Sequence, residues 1–174
     1  MSLIRRIVGP AWPLWAAFAA AALLAIAHGF ETFGHLAPCE LCLKQRTVYW
    51  AALAVGLVGY GLERFLPGRR IGVVACGLLA AVFLYQAGLA GYHAGVEWKW
   101  WPGPQSCTGA GKVNVGDLTA LLKGAKISGP SCDKAAWRML GLSMAGWNAL
   151  IALGLAGLSA AAALLKEPAR GSNA

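Results

Sequence analysis

Charged residues are scarce in this sequence: Asp, Glu, Lys and Arg make up 13% of it, whereas hydrophobic residues make up 58%. A soluble domain carries about 25% charged residues, so this balance excludes an ordinary soluble protein. Four stretches contain no charged residue, namely 7–30, 47–62, 71–96 and 139–165. Because a helix needs about 20 residues to cross a bilayer, three of them are long enough and the second is slightly short. The composition predicts an all-α membrane protein of one domain, a bundle of four transmembrane helices.

Nucleotide-binding motifs are also missing. The chain contains no Walker sequence, no Gly-x-Gly-x-x-Gly after a strand and no visible internal repeat. Its net charge of +8 could suggest nucleic-acid binding, but that function needs a basic face. The cations are instead scattered over helix ends and loops. We therefore expect a lipid bilayer around the chain and no nucleic-acid partner.

The first apolar run is too long for a secretory signal peptide, whose hydrophobic region usually has about 7 to 15 residues. We expect an uncleaved span there, and so a single integral membrane domain over 1–174. The four spans are then placed at about 11–30, 43–62, 71–92 and 140–165. Outer loops follow at about 31–42 and 93–139, with a cytosolic loop at about 63–70.

The distribution of cations predicts that both termini are cytosolic. With the N-terminus inside, seven cations lie on the cytosolic side and eight on the other, so the raw count does not decide the orientation. The short loop 63–70, however, holds three arginines, and Arg5 and Arg6 precede the first span. Dense positive charge in short loops marks the cytosolic side, and the first helix usually dominates.

This orientation places four of the five cysteines on the same outer side. Cys39 and Cys42 fall in the first outer loop, and Cys107 and Cys132 in the second. Cys76 falls within the third span, where it is expected to be an inert, small apolar residue. Because disulfides persist outside the cytosol, the distribution is typical of a periplasmic face.

The Cys-x-x-Cys sequence of residues 39–42 precedes an apolar helix. A thiol at a helix N-terminus feels the positive end of the backbone dipole, and a nearby cation further favours the thiolate. If the helix begins near Leu41, Arg46 lies about one turn beyond Cys42 on the same face. Ready disulfide exchange is one interpretation; half of a zinc site and a structural disulfide are the others.

Two further ionisable residues lie near the predicted membrane boundary. The second span is short, so its helix must include part of the Cys-x-x-Cys turn, which places Arg46 just inside the bilayer. An ionisable group at that depth is costly and indicates function, unless the side chain extends to the headgroups. His93 should lie at a similar depth, because an aromatic belt of Trp98, Trp100 and Trp101 follows it. A solvated or helix-capping histidine is the alternative there.

The second outer loop should contain a short amphipathic helix at 117–127, which could lie on the bilayer surface. Asp117 can cap it, and Leu118, Leu121 and Leu122 share one face. A disulfide between Cys107 and Cys132, if formed, would stabilise the loop by about 3 to 4 kcal/mol. The flexible surroundings would instead leave this pair open to exchange with a partner.

The arrangement of cysteines resembles the DsbB family, the inner-membrane quinone reductases that reoxidise DsbA. The resemblance covers essentially the whole chain. The scheme is also similar to vitamin K epoxide reductases, but those carry Cys-x-x-Cys in the last helix of the core, so the order here favours DsbB. The segments that carry the resemblance are Pro38-Cys39-Glu40-Leu41-Cys42 with Arg46, and Cys132-Asp133-Lys134-Ala135-Ala136-Trp137 leading to Leu140-Gly141-Leu142-Ser143-Met144.

The resemblance implies a quinone-dependent thiol-disulfide oxidoreductase in the bacterial inner membrane. Cys107 then forms the mixed disulfide with a periplasmic DsbA-like, thioredoxin-fold oxidase, and Cys132 passes the exchange on to Cys39. Cys42 faces a quinone of the membrane pool, ubiquinone or menaquinone. The residues implied to line the quinone site are Arg46, His93 and Met144. Gln45 is a departure from a member of the family that has an acid at this position.

Other functions stay open at this point. A DsbB paralogue dedicated to one oxidase and a vitamin K epoxide reductase-like enzyme share this chemistry. A structural or zinc-binding membrane protein would instead use Cys39, Cys42, Cys107 and Cys132 as four ligands. Zinc commonly takes two close cysteine pairs, whereas Cys107 and Cys132 are far apart in sequence, so we expect no metal site.

Overall fold

The computed structural model describes residue 9 and residues 11–66, 70–104 and 131–166. Within these residues the chain forms four helices: α1 (Trp12–Thr32), α2 (Glu40–Phe65), α3 (Ile71–Glu97) and α4 (Met144–Lys166). A short antiparallel hairpin of β1 (Arg138–Met139) and β2 (Leu142–Ser143) precedes α4. The predicted helix at 117–127 and Cys107 lie outside the described residues.

Three of the helices, α1, α3 and α4, are long and apolar enough to cross a membrane. The helix α2 does not meet that criterion, because charged residues occupy both of its ends, from Glu40 to Arg46 and again at Glu63 and Arg64. The all-helical framework of a membrane protein is therefore confirmed, with three apolar helices and a fourth whose ends are charged.

Small side chains occupy many helix interfaces, and several large side chains are exposed. Ala16, Ala20 and Ala52 are fully buried, whereas Trp15 is 60% and Phe18 is 67% exposed. In lipid there is no hydrophobic force to bury large side chains between helices, so small residues line the interfaces. Buried alanines together with exposed aromatic side chains agree with a lipid-facing bundle.

Polar bonds tie the helices together at the end of the bundle that holds the start of α1. The indole Nε1 of Trp12 donates to Ser159 Oγ of α4 at 3.0 Å in a buried hydrogen bond. The ammonium of Lys166, at the end of α4, lies 2.6 Å from both carboxylate oxygens of Glu63 at the end of α2. These contacts fix the relative positions of α1, α2 and α4 at this end.

The hairpin changes the expected start of the last helix. The fourth span was placed from about residue 140, whereas α4 begins at Met144. Leu140 and Gly141 both have positive φ, 52° and 82°, as a tight two-residue hairpin turn requires. Ser143 Oγ then accepts a hydrogen bond from the Gly146 N–H at 3.1 Å, which satisfies a donor at the start of α4.

Two other helix ends differ from the sequence-based bounds. The helix α2 begins at Glu40, so it includes most of the Cys-x-x-Cys turn, as its short apolar run had indicated. The helix α3 continues to Glu97, one turn beyond the expected end near residue 92. Both extensions bring polar side chains to the same end of the bundle.

Candidate functional site

The Cys-x-x-Cys turn forms the first turn of α2. Cys39 is the N-cap residue, in extended conformation, and its Sγ accepts a hydrogen bond from the Cys42 backbone N–H at 3.3 Å. The two sulfur atoms lie 3.0 Å apart, and both cysteines are free. The turn therefore holds a dithiol whose sulfurs are already close enough for a disulfide to form with little movement.

The two thiols differ in environment. Cys39 is buried and Cys42 is half-buried. The hydrogen bond to the Cys42 sulfur, together with burial, raises the pKa of the Cys39 thiol. Because the shared hydrogen stays on Cys39, Cys42 is the sulfur that can carry negative charge. The helix dipole at the start of α2 favours the same form.

Arg46 lies one turn after Cys42, and its side chain is only 14% exposed. Its Nη1 donates to Glu31 Oε2 at 2.5 Å, and its Nη2 donates to the Ala27 carbonyl at 3.0 Å. The guanidinium therefore bridges α2 to the last turn of α1. The sequence analysis missed Glu31, although an acid that ends a charge-free run is a natural partner for an arginine near the membrane boundary.

His93 belongs to a chain of hydrogen-bonded side chains that joins three helices. Its Nδ1 lies 2.9 Å from Gln45 Nε2, and Gln45 Oε1 accepts from Asn148 Nδ2 at 2.5 Å. Tyr49 donates its hydroxyl hydrogen to Asn148 Oδ1. The sequence analysis did not select Asn148 or Tyr49; the only signal was an amide side chain inside the charge-free run 139–165.

The other ring nitrogen of His93 faces the dithiol. His93 Nε2 lies 3.6 Å from Cys39 Sγ and 3.8 Å from Glu97 Oε1. Glu97 is buried, and its Oε2 has no hydrogen-bond partner among the described residues. Sequence reasoning did not single out Glu97, because it ends an apolar run and resembled a boundary charge.

These side chains border one cavity of about 650 Å³ between the helices and the segment that precedes α4. The three predicted quinone-site residues, Arg46, His93 and Met144, line it together with Cys39 and Cys42. The other lining residues are mostly apolar, and Phe30 and Trp137 pack ring to ring with centroids 5.5 Å apart. The cavity therefore combines an apolar wall with a few convergent polar groups.

Cys132 packs into the same region. It is fully buried, and it clusters with Cys39, Leu41 and Val96. Cys132 is disulfide-bonded. Cys76, in contrast, is a free cysteine in the apolar core among Leu79 and Phe83, away from this cluster.

Three side chains near the cavity could hold a metal ion: the ligand atoms of Cys39, Cys42 and His93 all lie within 4.8 Å of one another. This group differs from the four-cysteine zinc site considered above. A disulfide-bonded Cys132 has no thiolate to offer, so the structure does not support that four-cysteine set.

The fold and the site together define a helical membrane protein with a buried dithiol beside an apolar cavity. The family model described as "Disulfide bond formation protein DsbB" matches residues 10–162. The chain belongs to this family. It is a bacterial-type membrane protein by its apolar helices and by its relatives.

Relatives named "Disulfide bond formation protein B" cover most of the chain. The protein of Dechloromonas aromatica is 31% identical over 153 residues, which is 82% of this chain and 83% of the relative. That of Methylococcus capsulatus is 36% identical over 149 residues, 80% of this chain and 84% of the relative. A Polaromonas protein is 31% identical over 148 residues, with 80% and 83% coverage. The resemblance in the sequence analysis is thus confirmed at the level of the family.

Proposed function

We propose that this protein forms disulfide bonds by reoxidising a periplasmic DsbA-like oxidase and passing the electrons to a membrane quinone. The observation that carries the proposal is the free dithiol of Cys39 and Cys42, which borders a cavity of about 650 Å³ together with Arg46. Family membership supports the same class of reaction.

The cavity suits a quinone headgroup. Ligand cavities commonly measure about 300 to 1,000 Å³ and are mainly apolar with a few polar groups that fix orientation. The bonds of Arg46 to Glu31 and Ala27 use two of the five N–H donors of a guanidinium. We expect a remaining donor to bind a quinone carbonyl oxygen and to stabilise the negative charge that develops there. His93 and Met144 would line the same pocket.

The electron path follows the rules of thiol-disulfide exchange. With Cys39 and Cys42 oxidised to a disulfide, a thiolate of the reduced partner attacks Cys107 of a disulfide between Cys107 and Cys132. The released Cys132 thiolate then attacks Cys39 and releases the Cys42 thiolate. The burial of Cys132 against Cys39 supports this order. The quinone, when bound, accepts two electrons and two protons. The balance is therefore one dithiol and one quinone converted to one disulfide and one quinol.

We further propose that all four helices cross the membrane. The helix α2 has 26 residues, a length of about 39 Å, which exceeds a hydrocarbon core of about 30 Å. Its charged residues lie in its first two and last turns, where they can reach the interfaces. With both termini in the cytosol, the dithiol then lies at the periplasmic face of a bacterial inner membrane.

A donor-swap experiment tests both the reaction and its order. Purified protein in detergent is given ubiquinone-1 or a menaquinone analogue, and quinone reduction is followed by ultraviolet absorbance. The electron donor is either reduced DsbA-like oxidase or a small dithiol. We expect Cys107→Ser to abolish turnover with the oxidase but not with the small dithiol, which can reduce the inner pair directly. Cys42→Ser should abolish both.

Two results would contradict the proposal. Turnover by Cys42→Ser with either donor would remove this sulfur from the path. Wild-type protein that reduces neither quinone with either donor would refute quinone reduction by this site.

A further inference from the structure

The ligand atoms of Cys39, Cys42 and His93 all lie within 4.8 Å of one another, and Glu97 Oε1 lies 3.8 Å from the His93 ring. We propose that, in its dithiol form, this cluster is a Zn²⁺ site with Cys39, Cys42 and His93 as ligands and Glu97 beside them, and that bound Zn²⁺ blocks oxidation of the pair. The metal site is a property of the described side chains; only its inhibitory effect rests on the proposed function.

The distances fit a tetrahedral zinc ion with small adjustments. Zinc bonds of about 2.3 Å to sulfur and about 2.0 Å to nitrogen imply about 3.5 Å between sulfur and nitrogen and about 3.8 Å between two sulfurs. Cys39 Sγ already lies 3.6 Å from His93 Nε2. The two sulfurs, 3.0 Å apart, need to separate by less than about 1 Å, and a rotation of the half-buried Cys42 side chain supplies that movement.

Glu97 supplies a second observation that favours a cation at this place. Its side chain is only 5% exposed and lines the cavity, and Oε1 lies 3.8 Å from His93 Nε2. Its Oε2 is buried without a hydrogen-bond partner among the described residues. A buried carboxylate oxygen left unpaired is costly, and a cation bound close to it lowers that cost. His93 and Glu97 are one turn apart on α3, so the carboxylate lies beside the ligand His93.

The hydrogen-bond chain behind His93 can support a metal-bound imidazole. A histidine that binds zinc through Nε2 carries its hydrogen on Nδ1 and donates it to an acceptor. Gln45 lies 2.9 Å from Nδ1, and its amide presents either the NH₂ group or, after a half-turn, the oxygen. Asn148 can turn in the same sense and then donate to Tyr49. The row of hydrogen bonds therefore orients the His93 ring both with and without bound metal.

Metal binding transfers protons but no electrons. Zn²⁺ displaces the hydrogens of the two thiols, which are released as protons, and both sulfurs become zinc-bound thiolates. The sulfurs remain reduced. Because each sulfur then donates its electron pair to zinc, the pair cannot form a disulfide until the ion leaves. Chelation should restore the free dithiol.

The test measures metal binding without quinone or donor. Full-length protein in detergent is reduced, freed of reductant and titrated with Zn²⁺ by calorimetry, and with Co²⁺, whose visible absorption reports tetrahedral thiolate coordination. We expect one tight site per chain. His93→Ala should weaken binding at least about 100-fold, since it removes a ligand, whereas Gln45→Ala should weaken it about 10-fold, since outer partners contribute less. Cys76→Ala is the matched control and should bind as the wild type does.

Each other outcome overturns the proposal. Absence of a Zn²⁺ site in fully reduced protein refutes it, as does unchanged affinity in Cys39→Ala, which would place the metal on other thiols. Wild-type affinity in His93→Ala and in the gentler His93→Gln would show a simple dithiol chelate that does not use His93. Quinone turnover is measured in a separate assay that contains a chelator. The proposed quinone reduction can therefore be confirmed when the metal site is refuted, and the metal site can be confirmed when quinone reduction is refuted.

Discussion

The two ends of the helix bundle share several features but differ in chemistry. Each end has a cavity, about 650 Å³ at the dithiol and about 620 Å³ at the opposite end. Each has an ion pair between two helices, and each has a buried free cysteine, Cys39 or Cys76. The opposite cavity, however, is lined by aliphatic side chains of α2 and α3 apart from Arg70. Convergent polar side chains, and not cavity size, therefore distinguish the candidate site.

The two ion pairs show the same contrast. Lys166 lies 2.6 Å from both carboxylate oxygens of Glu63, an arrangement that joins α4 to α2. Arg46 instead shares its guanidinium between Glu31, the Ala27 carbonyl and the cavity wall. We infer that the pair of Lys166 and Glu63 stabilises the fold and that the pair of Arg46 and Glu31 positions a side chain of the candidate site.

The largest expected difference between the ends concerns their cysteines. Cys39→Ala should reduce quinone turnover by at least about 1,000-fold, because the exchange loses a reacting sulfur. Cys76→Ala should keep turnover within about twofold, because Cys76 only packs in the apolar core. The measurement is steady-state quinone reduction with a saturating donor. Comparable losses in both variants would contradict the assignment of the active end.

The ion pairs should separate substrate binding from stability. Arg46→Ala should raise the quinone KM about 10- to 100-fold, since a charged hydrogen bond to the substrate is worth about 1.5 to 3 kcal/mol. Lys166→Ala should leave KM unchanged but lower the free energy of unfolding by about 1 to 3 kcal/mol, because Glu63 keeps a partly buried charge without this partner. Kinetics and thermal unfolding of both variants in the same detergent check this. An unchanged KM in Arg46→Ala would remove Arg46 from the quinone site.

The sequence predicted the parts of this site that depend on spacing along one helix. Helix periodicity placed Arg46 one turn after Cys42, and the charge-free runs placed His93 at the same end, and both line the cavity. The partners Glu31 and Asn148 could not be predicted in this way, since they come from other helices, and Tyr49 of α2 joins the site only through Asn148. Which polar residue faces which depends on the rotation of each helix about its axis, and that rotation is set by packing.

The hairpin before α4 shows a second limit of sequence analysis. A run without charges predicts a helix over its whole length, so 139–165 gave no signal of a turn at Leu140 and Gly141. The left-handed backbone of Leu140 was not predictable from its residue type, because a non-glycine residue rarely adopts it. Among the described residues, the membrane pattern thus predicted the four helices better than it predicted their ends.

Close helix packing at the opposite end gives a smaller and purely structural prediction. A Cβ on Gly59 would lie 2.5 Å from the Ala75 side chain, whereas one on Gly61 would meet nothing within 4 Å. Gly59→Ala should therefore force α2 and α3 apart and cost about 1 to 3 kcal/mol. Gly61→Ala should be neutral or stabilise the helix by up to about 1 kcal/mol. Thermal unfolding compares them, and equal melting temperatures would show that the two helices do not pack closely at this point. Quinone KM should stay the same in both.

The smallest effect is expected at the exposed ion pair between Lys99 and Asp133, next to Cys132 at the dithiol end. The hydrogen bond from Lys99 lowers the pKa of the Asp133 carboxyl below its usual value. A lowered pKa stabilises the fold above the unfolded-state pKa of about 3.9, and the effect is lost as pH falls through the folded-state pKa.

Because the pair is exposed, Asp133→Asn should cost at most about 0.5 kcal/mol at pH 7. Melting curves should show this difference at neutral pH, and it should vanish in strong acid and shrink in about 1 M salt. A difference that grows in acid would have the wrong sign and would show that Asp133 is stabilised in its protonated form.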